Sequence, residues 1–92
     1  MTKNTVEVLR ALADDTRLGL VRKLAENKRQ EASCNLVKKC SLSMSLSQPA
    51  MSHHFAKLVD SGVLIEAKHG VQKFYSLNYE LLKSVGIDVD KL

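Results

Sequence analysis

Five side chains of this 92-residue sequence offer chemistry beyond charge and packing: His53, His54, His69, Cys34 and Cys40. Metal binding is the first use to consider. His53 and His54 are adjacent, and helical neighbours point about 100° apart, without the i, i+4 spacing that lets two imidazoles share a zinc ion. Cys34 and Cys40 stand six residues apart, a rotation of about 240° that prevents one continuous helix from chelating an ion with both. No metal site is therefore expected. Cys40 falls at an apolar position and reads as a small buried hydrophobe. Cys34 stays open as a thiol switch, alone or with Cys40. No nucleophile, base and orienting acid are grouped, Ser52 with His53 makes no triad, and no Gly-rich phosphate loop occurs. The sequence predicts neither an enzyme nor a cofactor.

What remains is binding by polar side chains along one helix. Ser47 suits an N-cap, Gln48 and Pro49 suit a first turn, and Met51, Phe55, Leu58 and Val59 form an apolar stripe. With that stripe inward, Pro49, His53, Lys57 and Asp60 turn outward, and Ser52 and His54 fall at the borders. Such a helix suits the DNA major groove. There the Gln48 amide could pair with adenine, His53 could donate to guanine or phosphate, and Ser52 and Lys57 could hold the backbone. His54 reads as a residue that packs or caps in support of the helix.

The elements that must position this helix can be traced along the chain. TVEVLRALA (5–13) places Val6, Leu9, Leu12 and Ala13 at helical spacing. Asp14 and Asp15 can cap a second helix, on which Leu18, Val21, Leu24 and Ala25 share a face, ended by the polar run Glu26 to Ser33. A third helix is expected within residues 34–44, followed by a Ser-rich link. Gly62 closes the helix that opens at Ser47. VLIEA (63–67) and QKFYSL (72–77) predict a β-hairpin whose turn offers Lys68, His69, Gln72 and Lys73 to an adjacent groove or its phosphates. The tail predicts a short helix with Tyr79, Leu82 and Val85 on one side. The order ααααββα, mainly α with a small β-hairpin, is that of a winged helix-turn-helix, a single domain spanning 1–92.

Composition agrees with a folded DNA-binding domain: 45% hydrophobic, 26% charged and a net charge of +4. The excess is greatest in the middle, where residues 38–73 carry +3. Aromatics are only 4%, too few for a row that stacks single-stranded bases. No apolar run is long enough for a membrane span and the N-terminus lacks a signal-peptide core, so a cytoplasmic protein with no membrane partner is expected. A winged helix used for protein contacts is the competing reading. It calls for apolar residues on the outward face, where this chain has Gln48, Ser52, His53 and Lys57.

In these segments the chain resembles the ArsR/SmtB family, the arsenical-resistance and metallothionein repressors of bacteria. LRALADDTRLGLVRKLAE (9–26) is similar to the family's first two helices, and LSQPAMSHHFAKLVDSGVL (46–64) with HGVQKFYSL (69–77) to its recognition helix and wing. The resemblance implies a homodimeric repressor that binds double-stranded DNA at an imperfect palindrome and leaves it when an effector binds. It places the dimer interface on the first and last helices, here Val6, Leu9, Leu12, Tyr79, Leu82 and Val85. Arg17 matches a family position and would tie the second helix to its neighbours. The chain departs from the family pattern at Ser45, where members usually carry Gly, in a short last helix, and at both metal sites. The family's Cys-x-Cys positions fall on Leu36 and Lys38, and residues 78–92 hold no His or Cys for the alternative site in the last helix. The effector is not specified, and a thiol-responsive repressor using Cys34 is the remaining variant.

Overall fold

The computed structural model describes residues 3–27, 31–32 and 47–92. The elements are α1 (Lys3–Leu12), α2 (Asp15–Asn27), β1 (Glu31–Ala32), α3 (Gln48–Ser61), β2 (Leu64–His69), β3 (Gln72–Leu77), α4 (Tyr79–Ser84) and a closing 3-10 turn (Val89–Lys91). The helix expected within 34–44 lies outside the described residues, as do Cys34, Leu36, Lys38 and Cys40.

Local chemistry sets the helix ends. Asp14 Oδ2 accepts from the backbone N–H of Arg17 (3.0 Å) and so caps α2. Ser47, in extended geometry, accepts from Ala50 N–H and caps α3, with Pro49 in its first turn. Gly62 ends α3 at φ 88°, and its N–H donates to the Val59 carbonyl. Asn78 then joins three segments. Its amide donates to the Gly62 carbonyl (3.1 Å), its backbone N–H donates to the Val63 carbonyl (2.9 Å), and its Oδ1 caps α4 through Leu81 N–H.

The core is built chiefly from Val8, Leu20, Val21, Leu24, Met51, Phe55, Leu58, Val63 and Leu82. Phe55 lies nearly parallel to Tyr75 of β3, with ring centroids 4.9 Å apart. That stack fastens the inner face of α3 to the sheet. Two helical faces differ from the expected ones. In α1 the buried residues are Val8, Ala11 and Leu12, whereas Val6 and Leu9 remain 41% and 52% exposed. Two apolar stripes share this helix, and the core takes the one that includes Val8. In α2 the core draws in Leu20 with Val21 and Leu24, leaving Leu18 half-buried.

The sheet has three antiparallel strands in the order β1-β3-β2. The hairpin ladder continues through Lys68↔Lys73 and His69↔Gln72, so the loop shrinks from the expected four residues to Gly70 and Val71. Backbone pairing needs no apolar side chains and runs past the end of the VLIEA stretch. Gly70 has φ 66°, a conformation that suits glycine in a two-residue hairpin turn. β1 pairs with β3 through Glu31↔Tyr75 and Ala32↔Phe74. It lies in the run Glu26 to Ser33, where two residues are too few to carry an alternating pattern.

Candidate nucleic-acid interface

The capped start of α3 fixes which side chains leave the protein. Met51, Phe55 and Leu58 point into the core. Pro49, Ser52, His53, Ala56 and Lys57 are exposed, with Asp60 further along the same side. Pro49, His53, Lys57 and Asp60, the residues expected to turn outward, are thus all exposed, and so is Ser52, expected at the border. Gln48 begins α3, and its side chain lies outside the described residues. Ala56 is an addition. It is five residues from Met51, a rotation of about 140°, and its methyl suits apolar contact with a thymine methyl. The same wheel could have found it, but a search for polar groups passes over alanine.

His54 turns the other way. Its Nδ1 lies 3.2 Å from Arg17 Nη1 and 3.8 Å from Asp14 Oδ2, at the link between α1 and α2. Arg17 also donates through Nε to the Ala11 carbonyl at 2.6 Å. This one guanidinium thus joins the end of α1, the start of α2 and the middle of α3. The Asp14 carboxyl is held below its ordinary pKa, first by the Arg17 backbone N–H, which outweighs the opposing effect of burial, and then by the charges of Arg17 and His54 and the Thr16 backbone N–H.

In the hairpin, Lys68, His69, Gln72 and Lys73 are all exposed. Lys68 and Lys73 are direct cross-strand partners, a like-charge placement that disfavours the hairpin until an anion approaches. Glu66 lies 3.8 Å from Lys73 Nζ and offsets part of that charge. The pair is solvent-exposed and worth little. The His69 ring stands edge-on to Phe74 at 5.0 Å. Val71 at the tip is fully exposed. Behind this surface, Tyr75 has its pKa raised, first by burial and then by the charge of Glu66, so the phenol stays neutral in the stack on Phe55.

Among the described residues no group of three or more His, Cys, Asp and Glu could hold a metal ion, and no helix is long and apolar enough to cross a membrane. Among the described residues, the large apolar side chains left exposed are Val6, Leu9, Ile65, Val71 and Tyr79, none of them on α3. Of the residues expected at a dimer contact, Val6, Leu9 and Tyr79 are exposed and Val85 is half-buried. Leu12 and Leu82 lie within the chain's own core, 8% and 1% exposed, where they can support a contact but not form its surface.

A capped helix with a polar outer face, followed by a cation-bearing hairpin packed against it, is the arrangement of a winged helix-turn-helix, a fold that docks such a helix into DNA. Comparison with known proteins makes the class specific. Residues 14–66 match the family model of the bacterial regulatory proteins of the arsR family. The chain is 31% identical over 90 residues to the arsenical resistance operon repressor of Staphylococcus xylosus, covering 96% of this chain and 79% of that one. Among solved structures it is similar to HlyU from Vibrio cholerae (28% identity, TM-score 0.68, 92% and 90% of the two chains). It also shares its fold with the transcriptional repressor PagR of Bacillus anthracis (24% identity, TM-score 0.69, 90% and 88%). The chain belongs to the ArsR family of DNA-binding transcriptional repressors. That family consists of transcriptional regulators, which are not enzymes.

Proposed function

We propose that this chain acts as a homodimeric repressor in which α3 reads base edges in the major groove and the hairpin binds the neighbouring backbone. The observation that carries the reading is the division of α3, with Met51, Phe55 and Leu58 buried and Pro49, Ser52, His53 and Lys57 exposed. Gln48, Ser52 and His53 supply base-edge and nearby backbone contacts. Lys57, Lys68, Gln72 and Lys73 supply phosphate contacts. The absence of large apolar side chains from the outer face of α3 favours DNA over a protein partner.

The exposed Val6 and Leu9 of α1 and Tyr79 of α4 support the dimer. A two-fold pair carries two recognition helices and so matches an imperfect palindrome. Leu36 and Lys38 stand where metal-sensing relatives of this family carry cysteines, so release from DNA in this chain does not use that ligand set. Selection of bound duplexes from a random pool tests the whole reading. The expected product is two inverted half-sites with centres about 10 base pairs apart. A pool that stays random, or enrichment of an isolated half-site, would count against it.

A further inference from the structure

The junction of Asp14, Arg17 and His54 has two possible pairings. Arg17 is held from three sides: its backbone N–H donates to Asp14 Oδ2, its Nε donates to the Ala11 carbonyl, and its Nη1 meets His54 Nδ1 at 3.2 Å. A guanidinium can only donate. His54 Nδ1 must then present its lone pair, which places the ring proton on Nε2 and requires a neutral imidazole. The same Nδ1 is 3.8 Å from Asp14 Oδ2, beyond hydrogen-bond length but reachable by a small ring movement. Protonation would set an N–H and a positive charge against Arg17, and the Asp14 carboxylate is the acceptor within reach. His53 is the other titratable ring nearby, 6.0 Å away between centroids. Arg17 also lines a groove of about 460 Å³ with Glu7 and Arg10 of α1 and Lys57 and Asp60 of α3. Two acids and two bases balance there, which leaves Asp14 and Arg17 as the charged groups in contact with His54.

His54 sits on α3 between exposed His53 and buried Phe55, so the backbone that holds its ring also sets the direction of the outward residues. We propose that Arg17 is a positioning residue for DNA recognition that acts through neutral His54, and that protonation moves His54 from Arg17 to Asp14 and weakens discrimination between DNA sequences. The inference rests on the reading that α3 carries the base contacts.

The test compares a duplex enriched from a random pool with a scrambled duplex, for the native chain, His54→Gln and His54→Ala, between about pH 7.5 and 5.5. The ratio of the two affinities is the readout, because it cancels any change in sequence-independent attraction to DNA. A glutamine oxygen accepts from Arg17 and does not titrate. The native ratio is expected to fall roughly three- to tenfold across this range. His54→Gln should keep the neutral-pH ratio and stay level, and His54→Ala should be low and level. If the alanine variant fails to fold, the comparison of native chain with His54→Gln decides alone. Parallel native and glutamine curves on an enriched duplex would overturn this inference while leaving the role of α3 intact. A pool with no enriched duplex would overturn both.

Discussion

At the scale of single residues, the side chains that prepare the surface matter as much as those on it. Asp14 shows how. Its carboxylate caps α2 and is held below the ordinary value of 3.8, chiefly by the Arg17 backbone N–H. A group whose folded pKa is depressed contributes stability above its unfolded pKa and loses it as pH falls through the folded value. Asp14→Ala should therefore cost about 1 kcal/mol at neutral pH, from the lost cap and its charge at a helix N-terminus. The difference should persist down to about pH 4 and shrink below it. Urea midpoints at a series of pH values check this, and a difference independent of pH would assign the effect to something other than the carboxylate. Ser47, Gly62 and the outward His53 were legible in the sequence because capping and helical rotation are local. His54 was legible as a border residue supporting the helix but not with its partner, since Arg17 lies 37 residues earlier.

At the scale of elements, α3 gains precision from its two ends and the sheet behind it. Gly62 is the most constrained position. Its φ is 88°, and a Cβ built there would come within 2.9 Å of Leu81 Cδ2. Gly62→Ala should lower stability by roughly 1–3 kcal/mol, chiefly through left-handed backbone strain, with a shift of the Leu81 side chain. A denaturation midpoint equal to that of the native chain would contradict this. Elements with local signatures were legible: caps bound α3, and apolar β-prone runs mark the hairpin. Those decided by tertiary contact were not. β1 exists by pairing with Tyr75 and Phe74, and the buried face of α1 was settled by packing between two stripes of equal helical spacing.

At the scale of the whole molecule, the fold separates two kinds of exposed surface. Polar and cationic residues occupy the outer side of α3 and share the hairpin with exposed Ile65 and Val71, while apolar Val6, Leu9 and Tyr79 occupy α1 and the start of α4. The first suits a polyanion, and the second is the surface on which the proposed dimer rests. The central claim is that α3 reads sequence and the hairpin holds phosphate. Its most direct test is a salt titration of Gln48→Ala and Lys73→Ala against a selected duplex and its single-base variants. Gln48→Ala should cost roughly 1–3 kcal/mol at one base position with the salt slope unchanged. Lys73→Ala should weaken every duplex alike and flatten the slope by about 1. Uniform losses on all sequences from both variants, with equal slopes, would contradict the claim.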